Sequence, residues 1–217
     1  MQLIIGNQNY SSWSLRPWLA LKQMEVKFEE IRIPLYEPNS AAAIAQYSPS
    51  GRVPVLIDGA QTVWDSLAIL EYLAERYPEQ PWWPRDLAAR TQARCISAEM
   101  HAGFFALREQ MPMNCRARFP GQGRSPATDR DIARVRQIWS RCREQWGQGG
   151  AFLFGEFSIA DAMYAPVVLR FVTYGVELNA IEQAYREAVL NLPALQDWLA
   201  AGLAETETIA QYDTLYA

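Results

Sequence analysis

The chain has 217 residues, 50% of them hydrophobic, 12% aromatic and 20% charged, enough apolar side chain for one large core or two compact ones and too much for a mainly disordered polymer. Twenty basic residues against 24 acidic ones leave a net charge of −4, which argues against a nucleic-acid binder held by phosphate contacts. Cys95, Cys115 and Cys142 form no CxxC pair and cannot all pair within one chain, so a reducing, cytoplasmic setting is expected rather than a disulfide scaffold.

Leu3-Ile4-Ile5 reads as a buried strand, too short and too poor in preceding basic residues for a signal peptide. Leu15 to Met24 carries apolar residues at helical spacing behind a run of serines that can cap it, with Pro17 early enough to be tolerated. Phe28 to Leu35 alternates as a strand, and Asn39-Ser40 opens a short helix over Ala41 to Gln46. Val53 to Ile57 is a third strand, Asp58-Gly59 a hairpin turn and Gln61 to Trp64 a fourth strand. Asp65-Ser66 then starts an amphipathic helix that Pro78 stops. This βαβαββα order is thioredoxin-like.

Pro78, Pro81 and Pro84 around Trp82-Trp83 make a stiff connector. Beyond Leu87 strand signals nearly vanish, and helices are expected over roughly 88–111, 128–147, 159–173, 179–190 and 194–203. The expected organisation is an α/β domain over 1–78, a linker over 79–87 and an all-helical domain over 88–217. No stretch reaches the roughly 18 apolar residues of a membrane span. Residues 108–143 hold nine arginines against three acids, and 144–217 two arginines against ten acids. Such a dipole is either a solvated helical surface or a field that steers an anion into a cleft.

Three loop ends carry the candidate chemistry. Ser11, Ser12 and Ser14 lie where a strand ends and a helix begins, a position that favours negative charge and lets a hydroxyl donate to a thiolate; the same serines serve equally as helix caps. Pro54 at the start of the third strand is, from local sequence, best read as an ordinary trans proline on an edge strand; a cis bond would free Val53's backbone to pair with an extended peptide. Asp65 and Ser66 open a helix and can together hold an ammonium and a carboxylate, although a simple cap explains either one. All three ends share one rim of a small sheet.

On these residues the whole chain resembles a bacterial glutathione S-transferase. Ser11-Ser12-Trp13-Ser14-Leu15-Arg16 is similar to the zeta-class Ser-Ser-Cys-Ser-Trp-Arg motif, and Met24 to Glu29 keeps the family's helix-to-strand register. Val53-Pro54 matches the cis-proline signature, and Asp65 to Leu73 matches an acidic or amide residue followed by Ser-x-Ala-Ile. Glu99-Met100-His101-Ala102-Gly103-Phe104 resembles a beta-class segment whose histidine lines the cleft. Phe154 to Asp161 is similar to the family's buried capping segment, where Ser158-x-x-Asp161 is a capping box with a structural role.

The resemblance implies a thioredoxin-like domain followed by an all-helical one, reduced glutathione as co-substrate, no prosthetic group and a homodimer. Ser11 then activates the thiol, with Ser12 assisting or capping. Arg52, Val53 and Pro54 border the peptide, Val53 pairs with the cysteinyl unit, and Asp65 with Ser66 takes the γ-glutamyl head. Trp13, His101, Phe104, Phe105 and Arg108 are expected around a hydrophobic electrophile. Trp13 replaces the cysteine of the zeta and beta classes, which disfavours a thiol–disulfide mechanism. Neither metal-ligand spacing nor a Gly-x-Ser-x-Gly elbow is present. The implied activity is a detoxifying transferase, peroxide reduction remaining open. The alternatives are a zeta-type maleylacetoacetate isomerase and a non-catalytic interaction module of the same fold.

Overall fold

The computed structural model describes residues 1–216. Four strands form one sheet in the order β2-β1-β3-β4. β1 (Gln2–Ile5) runs parallel to β2 (Glu29–Arg32) and antiparallel to β3 (Val55–Asp58), which pairs antiparallel with β4 (Gln61–Trp64). The alternation of side chains along a strand assigns its two faces. Leu3, Ile5 and Leu56 enter the main core, whereas Ile4 and Val55 join Ile33 and Ile44 in a small cluster on the other face. Ile44 comes from α2 (Ser40–Ala45), which covers that face. β3 is an interior strand, so the expectation of an edge strand with a trans proline fails: Val53-Pro54 is cis, and Pro54 precedes the first paired residue, Val55.

α1 (Ser12–Gln23) and α3 (Ser66–Arg76) lie on the main face. α1 starts three residues before the expected Leu15, which moves Pro17 a turn and a half into the helix. There Pro17 cannot return a hydrogen bond to the carbonyl of Trp13. Leu15, Leu19, Ala20 and Leu21 are fully buried. That burial has two sources: the sheet on one side and α7 (Ile159–Thr173) on the other. Trp18 meets Trp198 of α9 (Pro193–Ala204) edge to face at 5.1 Å.

The second half is helical as expected, with one break. The predicted helix over 88–111 is two, α4 (Leu87–Ala102) and α5 (Phe105–Gln110). A side chain at Gly103 would meet the Glu99 carbonyl at 2.9 Å, and Phe104 adopts a left-handed φ of 59°. The kink points Phe104 inward and Phe105 outward. It also returns Arg108, whose guanidinium donates to the carbonyls of Met100 and His101 at the end of α4, a cation placed where a helix C-terminus is negative. α6 (Pro126–Trp146) and α8 (Ala180–Leu190) flank α7. Beyond α9 the chain runs back over the sheet's domain and makes a last turn, α10 (Ala210–Asp213), which the sequence pattern does not announce. Among the described residues no helix is long and apolar enough to cross a membrane, and all three cysteines are free.

Asp161 is fully buried at the start of α7 and accepts from the Leu153 N–H at 3.0 Å, the Ser158 N–H at 2.9 Å and the Ser158 hydroxyl at 3.1 Å. Burial raises its carboxyl to about 6, the hydrogen bonds opposing. A group with a raised folded pKa stabilises most below its unfolded value of 3.8 and loses that contribution as pH rises through the folded one. Asp161→Ala strands three donors and should lower the unfolding free energy by about 2 kcal/mol or more in urea titrations. Asp161→Asn should remove one component of the falling stability between pH 3.8 and about 6; a profile parallel to the parent's rejects the assignment.

Candidate functional site

The loop between β1 and α1 is fastened from the far end of the chain. Glu205, just past α9, accepts from the N–H groups of Gln8 at 2.6 Å and Asn9 at 3.1 Å, and its side chain is only 4% exposed. Arg116 donates to the carbonyls of Glu205 and Glu207 and to the Tyr10 hydroxyl. That hydroxyl donates onward to Asp213 at 2.7 Å, and Asp213 also accepts from Asn114. Gly202 lets α9 approach the loop, since a Cβ there would lie 3.1 Å from the Asn9 nitrogen. The position of Ser11 and Ser12 is therefore set jointly by both halves of the chain.

The two serines have different hydrogen-bond partners. Ser11 is the N-cap: its oxygen accepts from the Ser14 N–H at 3.4 Å, and its hydroxyl donates to Ser14 Oγ at 2.8 Å. Ser12 accepts from the Arg170 guanidinium at 3.1 Å. That bond uses an oxygen lone pair and leaves the Ser12 proton available. Both serines border a cavity of about 670 Å³.

Trp13 separates that cavity from a second one of about 380 Å³; Arg52 and Val53 line both. The Arg16 guanidinium lies 4.2 Å from the Trp13 ring centre and Arg108 lies 4.8 Å from it, with His101 edge-on at 5.4 Å. Pro54, Asp65, Ser66 and His101 line the smaller cavity. Asp65 has a left-handed φ of 75°, and its Oδ1 accepts from the Leu67 and Ala68 N–H groups as the α3 cap. Ser66 is buried and accepts from Arg16 at 3.5 Å.

The structure thus brings Ser11, Ser12, Trp13, Arg52, Val53, Pro54, Asp65, Ser66, His101 and Arg108 to two adjoining cavities. It does not bring the paired phenylalanines there. Phe104 is buried in the main core, and Phe105 is 73% exposed and borders neither cavity. His101 lines the smaller cavity, at the Asp65 end, and not the larger one. Much of the basic run over 108–143 is engaged away from the cavities. Arg124, Arg134 and Arg136 pair with Asp129, Glu99 and Glu182, Arg116 and Arg143 donate to backbone carbonyls, and Arg108 alone of the nine lines the larger cavity.

Arg170 and Arg16 carry no role in the sequence reading. Both are buried, and burial is the main cause that lowers their pKa values, Arg170 to about 10. Arg108 is lowered for the same reason. Among the described residues none of the three has a carboxylate within 4.0 Å. The usable signal for Arg170 was a lone cation in the otherwise apolar last turns of the 159–173 helix, a placement that is costly unless something nearby uses it.

The family model described as glutathione S-transferase, N-terminal domain, matches residues 10–76, and that described as glutathione S-transferase, C-terminal domain, matches residues 125–201. The chain is 37% identical to a zeta-class glutathione S-transferase of Euphorbia esula over 86% of its own length and 85% of the relative's. It is 24% identical to a probable maleylacetoacetate isomerase of Caenorhabditis elegans over 84% and 85%. Among solved structures, a Burkholderia glutathione transferase homologue with bound glutathione superimposes with a TM-score of 0.71 at 23% identity, covering 94% of this chain and 98% of that one. A bacterial zeta-class maleyl pyruvate isomerase gives 0.71 at 23%, covering 96% and 100%.

Glu205→Ala removes the acceptor of two loop N–H groups. It should cost about 2 kcal/mol of stability and accelerate amide exchange at Gln8 and Asn9 more than in the sheet; exchange unchanged at both positions would show that the loop holds without its carboxylate.

Proposed function

The chain belongs to the glutathione S-transferase family, and on that premise we propose where glutathione lies and which groups act on it. The enzyme is a glutathione-dependent transferase with reduced glutathione as co-substrate and a thioredoxin-like domain ahead of a helical one. The observation that carries the placement is the pair of cavities meeting at Trp13 and Val53, with a carboxylate at one end and serine hydroxyls near the junction. Glutathione lies extended across them. Its γ-glutamyl ammonium faces Asp65, its γ-glutamyl carboxylate faces Ser66 at the α3 N-terminus, and its cysteinyl backbone pairs with Val53. The thiol then points at Ser12.

A free thiol has a pKa of about 8.5. Three nearby guanidinium groups and the start of α1 favour its anion, and Ser12 donates its proton to the sulfur while Arg170 holds the serine oxygen from behind. The thiol proton leaves to solvent. The thiolate attacks an electrophile held in the larger cavity between Trp13, Arg108 and Tyr212, and proximity supplies much of the acceleration. Ser11 serves this arrangement by capping α1. We place the enzyme in the cytoplasm as a homodimer acting in detoxification, with the division of domains at 1–78 and 88–217.

A second reading has its own support. Arg108 and Arg170 border the larger cavity with no carboxylate partner among the described residues, which suits an acidic electrophile better than a neutral one. A zeta-type isomerase, in which glutathione adds to and leaves a maleyl substrate, has that requirement. Turnover of maleylacetone compared with a dinitro-activated chloroarene separates it from conjugation.

Ser12→Ala should lower turnover at least tenfold, about 1.4 kcal/mol, and move the bound-thiolate absorbance to higher pH. Ser11→Ala should instead lower stability by about 1 kcal/mol as a cap loss, with the thiolate titration little changed. The reverse pattern reassigns the thiol to Ser11, and a parent protein that binds no glutathione refutes the placement.

A further inference from the structure

His101 stands on the last turn of α4, reaching across to the other domain. Its Nε2 lies 3.2 Å from Asp65 Oδ2, while the opposite oxygen of that carboxylate is already held by the first N–H groups of α3. His101 Nδ1 is buried and has no hydrogen-bond partner among the described residues. Those two facts select a tautomer. A proton on Nδ1 would bury an unpaired donor and turn a bare Nε2 toward a carboxylate, whereas a proton on Nε2 makes a charge-assisted bond. The imidazole is further fixed by its edge contact with Trp13. The Asp65 carboxylate is thus gripped at both oxygens, one from each half of the chain, on a residue whose backbone is itself held at φ 75°.

We propose that His101 is a positioning residue for glutathione, its Nε2–H holding the Asp65 carboxylate in the orientation that receives the γ-glutamyl ammonium. This rests on the reading that the smaller cavity takes that end of the peptide. The charged groups facing the imidazole are Asp65 at the start of α3, Arg16 from α1 and Arg108 from α5. Burial depresses its pKa, the two arginines add to that and Asp65 opposes it. The neutral ring leaves Asp65 its full negative charge for an ammonium ligand. Protonation places a cation on the carboxylate and beside the incoming ammonium, so glutathione binding weakens on acidification below pH 6.5.

The test compares the parent, His101→Leu and His101→Gln, with glutathione and with its analogue in which hydrogen replaces the γ-glutamyl amino group. A dinitro-activated chloroarene at fixed concentration is the electrophile. His101→Leu should raise KM for glutathione at least fivefold with kcat changed less than twofold. His101→Gln, which keeps a donor near the Nε2 position, should restore most of the loss. All three proteins should share one KM for the amino-free analogue. Between pH 7.5 and 5.5 the parent's KM for glutathione should rise more steeply than that of either variant. Equal KM increases for both thiols, or pH profiles that stay parallel, overturn the proposal in favour of a packing role. A His101→Leu protein that fails to fold is replaced by His101→Gln, whose pH profile must then be flatter than the parent's for the proposal to stand. A parent that binds neither thiol refutes the glutathione placement itself, and this role with it.

Discussion

α1 is buried on two sides, and the site follows from that constraint. A helix packed only on the sheet would expose half its surface, yet Leu15, Leu19, Ala20 and Leu21 are all fully buried because α7 covers what the sheet does not. The main core consequently runs without interruption from β1 through α1 into the helical half. The N-terminus of α1, where Ser11 and Ser12 sit, cannot shift without disturbing the contact between domains. Interiors packed at this density do not deform smoothly, so a hydroxyl placed there keeps its position.

Around that fixed point the electrostatics are one-sided. Arg16 and Arg108 both lie against the Trp13 ring, and Arg170 donates to Ser12. Desolvated cations repel one another and carry a real cost. The indole faces offset part of it through cation–π attraction, and backbone carbonyls accept from Arg108 and Arg170. Among the described residues no carboxylate lies within 4.0 Å of these three guanidinium groups, although Asp65 and Asp131 offset part of their charge from further away. The Trp13 ring is thus a surface against which two of the guanidinium groups are arranged.

The fold was legible because its signals are local. A short apolar run announced β1, alternation announced β2, the Asp58-Gly59 turn announced β3 and β4, Asp65-Ser66 announced the start of α3, and Ser158-x-x-Asp161 announced the entry to α7. The break between α4 and α5 was not, because Gly103-Phe104 lies inside an uninterrupted apolar pattern and only the approach of the Glu99 carbonyl requires a glycine there. The site was half legible. Asp65, Ser66 and Val53 follow a motif along the chain, whereas the partnership of His101 with Asp65, or of Arg170 with Ser12, depends on how two domains dock. Phe104 and Phe105 show the cost of reading a pair as a unit: a change of backbone sign between them sends one ring inward and the other to solvent. The last turn, α10, has four residues and too little periodicity to be seen.

The strap formed by Glu205, Glu207 and Asp213 also bears on the order in which the protein comes into being. Gln8 and Glu205 are 197 positions apart, so the loop carrying the serines is made long before the carboxylate that fastens it. Contacts of such sequence separation are slow to form, because closing a long loop precedes any reward from the contact. During synthesis the sheet can assemble around β1 while the donors of Gln8 and Asn9 stay bonded to water. The hydrogen bonds that fasten this loop and its neighbour Arg116 to Glu205, Glu207 and Asp213 can therefore form only once residues 205–213 have been made.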